Sequence, residues 1–149
     1  MKIGMAVCLM ICFSPFLSAD RASDRAKLSG TWTPEDANQK EVETFVIENG
    51  PEKIHMARKH GDGKVFDIDC SSLAKECQLK DEDGKDAKIT MYFNGNKLVQ
   101  LETKGTKVVK RRFGMTKDDN VMKLEVIPIV PNGKPETILY KRVQAALAQ

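Results

Sequence analysis

The sequence predicts an all-β domain, an antiparallel up-and-down meander of about 8–10 strands. Three observations carry this. From Leu28 onward, short segments alternate apolar and polar residues, the period-two pattern of a strand with one buried face. The breaks between them are rich in Gly, Asn and Asp, which supply the positive backbone angles of tight hairpins. No long stretch carries the helical period of 3.6 residues.

The elements follow in order. The chain opens MKIGMAVCLMICFSPFLSAD, with Lys2, an apolar run from Ile3 to Leu17, and small residues at Ser18 and Ala19. A basic start, a short apolar stretch and a small-residue exit describe a secretory signal peptide over residues 1–19, and the alternative is an N-terminal membrane anchor. Cys8 and Cys12 lie inside the apolar run without the small residue that lipidation requires before its cysteine. Residues 20–27, DRASDRAK, form a polar arm that is either a linker or one short helix. The barrel or sandwich domain spans 28–144, and 145–149 are a tail.

Within the domain the predicted strands are 28–33, 43–48, 53–59, 65–70, a weaker 77–81, then 87–93, 97–103, 107–115, 121–129 and 137–143. Such a meander buries its apolar face by closing into a barrel or by folding into a sandwich. Alternation puts Ala87, Ile89, Met91 and Phe93 on one side, and Lys88, Thr90 and Tyr92 on the other. Val99 with Leu101, and Met122 with Leu124 and Val126, are read as continuing the apolar side.

Bulk properties narrow the function. The 149 residues are 41% hydrophobic and 30% charged, which fits one ordinary domain. Loss of Lys2 with the signal lowers the net charge from +3 to +2, and no concentrated cationic face points to nucleic acid. Lys107, Lys110, Arg111 and Arg112 are the densest basic cluster, but a strand splits them between two faces. Cys70 and Cys77 are left in the mature chain, and an even count in an exported domain suggests a disulfide. A metal role for them lacks ligands, since His55 and His60 are the only histidines.

Gly30-Thr31-Trp32, at the start of the first strand of such a meander, resembles the opening motif of the lipocalins and the wider calycin group. The resemblance implies a closed barrel with Gly30 allowing the chain to bend and Trp32 plugging one end. It also implies a basic residue of the last strand packed across the indole, for which Arg142 is the match. The T-D-x motif and flanking C-terminal helix of lipocalins are missing. The fatty-acid-binding branch carries a helix-turn-helix after its first strand, for which TPEDANQK is too short. That branch also holds a carboxylate with an R-x-Y motif in its last strand, where this chain has Ile138 and Tyr140. Avidins line their pocket with several tryptophans, and this chain has one. Small exported bacterial lipocalin-like proteins resemble it most.

Arg111 shares a side with Val109 and Phe113. An inward guanidinium would anchor a ligand carboxylate, unless a bulge turns it outward or an acid such as Glu102 neutralises it. His55 and His60 with Asp62 suggest a metal less than they suggest exposed hairpin residues, and DEDGKD (81–86) lacks the glycine and closing glutamate of a calcium loop. Ser71 and Ser72 lie in no nucleophile motif, and no paired acid and base stand out. Neither an enzyme nor a cofactor is expected.

The expected protein is thus periplasmic or secreted, free of the membrane once its signal is removed. Its barrel binds a small apolar or amphipathic ligand, with Arg111, Tyr140, Met91, Phe93, Leu101 and Met122 as the binding residues. The alternative is a protein partner, because small bacterial metalloprotease inhibitors share the compact barrel and disulfide and insert an N-terminal arm, which residues 20–27 would supply.

Overall fold

A computed structural model describes residues 16–36, 43–61, 63–81 and 83–144. The expected signal segment falls mostly before these, so residues 1–15 and the tail 145–149 lie outside the described residues. The polar arm is helical: α1 runs Phe16–Lys27 and spans the expected cleavage point after Ala19. Ten strands follow, β1 (Gly30–Pro34), β2 (Glu43–Asn49), β3 (Lys53–His60), β4 (Gly63–Ser71), β5 (Leu73–Lys80), β6 (Asp86–Asn94), β7 (Lys97–Lys104), β8 (Lys107–Met115), β9 (Val121–Val130) and β10 (Glu136–Arg142). The weak fifth segment is therefore a full strand that begins four residues earlier than its alternation suggests.

Each strand pairs antiparallel with its chain neighbour, apart from β4 and β5, and β1 returns to pair with β10. The sheet order β4-β3-β2-β1-β10-β9-β8-β7-β6-β5 makes a nearly closed barrel, with one seam between β4 and β5 among the described strands. A barrel rather than a sandwich results because the first and last strands are joined by Trp32 opposite Arg142 and Pro34 opposite Tyr140. Pairing of β1 with β10 leaves β4 and β5 as the two edges of the sheet, the strands that carry unpaired backbone groups.

The interior follows the period-two rule on most strands. Trp32, Phe45, Ile47, Ile54, Met56, Phe66, Cys70, Ile89, Met91, Leu98, Phe113, Met122, Leu124 and Tyr140 form one buried cluster. Phe45 packs edge-on against Phe113 and Tyr140, with centroids 5.2 and 5.6 Å apart. Strand β7 departs from the expectation. Its register sets Leu98 opposite Phe93, Gln100 opposite Met91 and Glu102 opposite Ile89, and directly opposed residues share a face. Leu98, Gln100 and Glu102 therefore point inward. Val99 and Leu101 point outward, Val99 beside Tyr92 and Arg112 and Leu101 beside Thr90 and Lys110. Leu101 is half-buried on the outer face and is not part of the interior wall. The reading failed there because the more apolar face of this strand is not the one that faces the core.

The two barrel ends differ. At one end α1 lies against the β2–β3 and β6–β7 turns: Arg25 Nε donates to Gly95 O at 2.8 Å, and Asn49 Nδ2 donates to Arg25 O at 3.1 Å. Trp32 is fully buried beneath it, its Nε1 donating to Leu28 O at 2.9 Å. The Arg142 guanidinium lies over the indole, 4.3 Å from the ring centroid, and donates to Ser29 O at 2.7 Å and Lys27 O at 2.6 Å. Gly30 makes this possible. Its φ is +148°, and a Cβ there would stand 2.5 Å from Arg142 Nη1, so a side chain would meet both backbone strain and the guanidinium. The other end is a mouth ringed by the β3–β4, β5–β6 and β7–β8 turns and the β9–β10 loop.

Candidate ligand-binding site

Just inside the mouth, three charged side chains from three strands meet. Arg58 follows Ile54 and Met56 on the inward face of β3, Glu102 is the inward end of β7, and Arg111 is inward on β8, opposite Gln100 and Val126. Arg111 Nη1 donates to Glu102 Oε2 at 2.5 Å and Arg58 Nη1 donates to the same oxygen at 3.3 Å. Since β3 and β7 are not neighbours in the sheet, the second bond crosses the barrel. The other oxygen, Glu102 Oε1, is 3.6 Å from Lys104 Nζ.

Burial pushes the Glu102 carboxyl up, but the Arg111 and Arg58 charges outweigh it and hold the group below its ordinary value. Burial and the neighbouring Arg58 charge lower Arg111, against the pull of Glu102 and Glu43. Arg58 is wedged in place by the Phe66 ring, 5.0 Å from its Cζ, and its Nε stands 3.7 Å from Glu43 Oε1 without a hydrogen bond. One rung deeper, buried Gln100 donates weakly to Met56 Sδ at 3.6 Å, and its Oε1 accepts no hydrogen bond from the described residues.

Arg58, Glu102 and Arg111 line a pocket of about 220 Å³ together with Glu43, Lys104, Lys107 and Val109. Four cations face two carboxylates, and Asp81 reaches Lys104 from outside the lining at 3.6 Å. Even with Asp81 counted, the mouth keeps a positive surplus, which favours an incoming anion. Tyr140 also points inward, packed on Phe45, and burial pushes its phenol up, so it remains a neutral hydroxyl.

The other expected residues fall in different places. Met91 and Met122 are fully buried inside the barrel, Met122 opposite Tyr140. Phe93 sits at the far end, under the Arg25 guanidinium at 4.7 Å. Leu101 lies outside, as described. Ile138, where the fatty-acid-binding branch has its arginine, packs against the core. Arg58 was not anticipated, although the spacing Ile54, Met56, Arg58 contains the signal. His55 lies on the outer face between Asp67 and Asp69, 3.2 and 3.0 Å away, and His60 is at the exposed end of β3. Asp62 lies outside the described residues, among which no group of three or more such side chains is placed to hold a metal. In the DEDGKD turn, Asp81 Oδ1 accepts from the Asp83 and Lys85 amides at 3.0 and 2.8 Å, so its carboxylate closes the turn.

No protein-family model matches the chain, and no curated protein matches it by sequence. Solved structures do match in shape. The REP1-NXSQ fatty acid transporter superposes with a TM-score of 0.65 at 18% identity, over 81% of this chain and 99% of that one. A Schistosoma mansoni fatty acid binding protein in complex with arachidonic acid gives 0.62 at 15% identity, over 81% and 99%. A secretory abundant heat soluble protein from Ramazzottius varieornatus gives 0.62 at 12% identity, over 78% and 96%. The chain has a calycin-like fold.

Within that fold this calycin-like barrel has its own features. Its described helix precedes β1 and packs at the tryptophan end, whereas residues 37–42, between β1 and β2, lie outside the description. Among the described residues, the cations near its mouth come from β3, β7 and β8, while Arg142 of β10 lies at the opposite end over Trp32. No described helix is long and apolar enough to cross a membrane.

Proposed function

We propose that the barrel binds a small amphipathic molecule, with its anionic head at Arg58 and Arg111 and its apolar tail toward Met91 and Met122. The observation that carries this reading is the positive surplus just inside the mouth, above a wall that is mostly apolar apart from buried Gln100. Glu102 pairs with both guanidinium groups and orients them, and an entering carboxylate shares them. Charge-assisted hydrogen bonds to guanidinium fix the head, and each buried tail methylene contributes about 0.8 kcal/mol. Binding rather than catalysis suits the site, because Glu102 is tied to two guanidinium groups.

A fluorescent fatty-acid probe should bind wild type and be displaced by unlabelled fatty acid. Arg111→Leu should weaken binding by roughly tenfold, the scale of one lost charge-assisted contact. The thermal midpoint of the variant is measured alongside. A wild type that binds no probe would remove the reading, and equal binding by both proteins would remove Arg111 from it.

We further propose that the mature chain begins near Asp20 and acts outside the cytoplasm. The basic start with small-residue exit and the Cys70–Cys77 disulfide support this, since such bonds persist in oxidising compartments. N-terminal sequencing of protein recovered from its host should start near Asp20. A chain that keeps Met1 in the cytosol refutes it.

A further inference from the structure

We propose that the Cys70–Cys77 disulfide clamps the lateral seam of the barrel, so that the redox state of this pair sets how fast ligand enters and leaves. The part that concerns ligand rests on the binding reading above. The mechanics rest on the seam alone.

Among the described strands, every other neighbouring pair is joined by a backbone ladder, and β4 and β5 are the two unladdered edges. The seam gives onto the core directly. Phe66, Ile68 and Cys70 face inward from β4, and Cys77 and Leu79 pack against the same cluster from β5. The covalent bond across this seam joins Cα atoms 5.9 Å apart. It ties Cys70, the last residue but one of β4, to Cys77, beyond which β5 continues only through Gln78, Leu79 and Lys80.

The base of β5 is built to pivot. Ala74 has φ of +57°, a conformation that costs a residue with a side chain, and the β5–β6 register shifts between Leu73 and Glu76. With the disulfide in place the pivot is bridged. Once it is broken, the link between β4 and β5 retreats to Ser72, and the one backbone ladder on β5 among the described strands is that with β6.

Cys70 is buried and Cys77 half-buried, so Cys77 Sγ is the half of the bond that a small thiol can reach. A dithiol reductant supplies the two electrons and two protons. One of its thiolates attacks Cys77 Sγ, which breaks the bond to Cys70 and forms a mixed disulfide, while Cys70 leaves as a thiolate and takes up a proton. The second thiol of the reductant then displaces Cys77, which also ends as a thiol, and the reductant leaves as a cyclic disulfide.

The test follows release and uptake of anthroyloxy-stearate by stopped flow. It compares oxidised wild type, wild type reduced with dithiothreitol, and Cys70→Ser/Cys77→Ser. Both rates should rise about tenfold in the last two, with a much smaller change in Kd, because opening a gate speeds entry and exit together. Amide exchange should quicken in β4 and β5 before β8 and β9. Equal rates in oxidised and reduced wild type, at a temperature where Trp32 fluorescence shows both folded, overturn the clamp. If the double variant does not fold, reduced wild type carries the comparison. If oxidised wild type binds no probe, the ligand reading falls, and exchange in residues 63–80 decides the clamp: faster exchange on reduction supports it and unchanged protection overturns it.

Discussion

Replacing Trp32 with alanine should lower the stability of the barrel by about 3–5 kcal/mol, the range of large-to-small changes in a packed core. The indole is fully buried and sits where β1, β2 and β10 meet, opposite Phe45 and Arg142. Its loss leaves a hole that the paired strands cannot close by shifting, since their registers are set on both sides. It also leaves Leu28 O without its donor. Arg142→Ala should cost less, about 1–3 kcal/mol, from the cation–π contact and the hydrogen bonds to Ser29 O and Lys27 O. Part of that loss should vanish in the Trp32→Ala background, because residues in contact do not add independently. Urea unfolding of the four proteins measures the cycle, and full additivity would show that the guanidinium does not hold the indole.

Replacing Glu102 with leucine should be comparably severe, about 3–5 kcal/mol, because it strands two buried guanidinium groups. Replacing Glu102, Arg58 and Arg111 together with apolar residues should recover most of that loss, since no buried charge is then left unpaired. The acid dependence has a definite sign. The folded-state carboxyl of Glu102 lies below its ordinary value of 4.5, so its contribution is fully present above that value and is lost as pH falls through the folded one. Exposed Asp67 and half-buried Asp81 and Glu125 are shifted in the same direction and add a background slope. The wild-type thermal midpoint should therefore fall between about pH 6 and pH 3, and that of Glu102→Gln should fall less over the same range. Parallel curves would remove Glu102 from the acid response.

Much of this architecture is legible in the residues read one strand at a time. Alternation along β6 placed Ala87, Ile89 and Met91 inward, and the Gly-Asn-Asp breaks marked the hairpins. The roles of Gly30, Trp32 and Arg142 come instead from the resemblance to the lipocalin opening motif, which alternation along a strand does not supply. The sequence of helix α1 fits a linker as well as a helix, since its short polar pattern has no strong apolar stripe and its docking depends on the Gly95 and Asn49 turns.

The candidate site was less legible. Arg111 was found by its inward phase, and Glu102 was named as an acid that could neutralise it. Arg58 was missed although it carries the same phase, because nothing along β3 says that a residue 44 positions later will face it across the interior. Leu101 was placed on the wrong side for the opposite reason, its apolar character pointing inward while the register sends it out.

The all-β class and the hairpin order are therefore written in local pattern, because turn chemistry and period two act between residues close in the chain, while the pairing of Cys70 with Cys77 follows from their even count in a chain read as exported. Closure of β1 onto β10, the seam at β4 and β5, and the meeting of Arg58, Glu102 and Arg111 were decided only in three dimensions. Each depends on register and on charges from strands that are not neighbours, and a buried Glu102 is tolerable on β7 only because two guanidinium groups meet it inside the closed barrel.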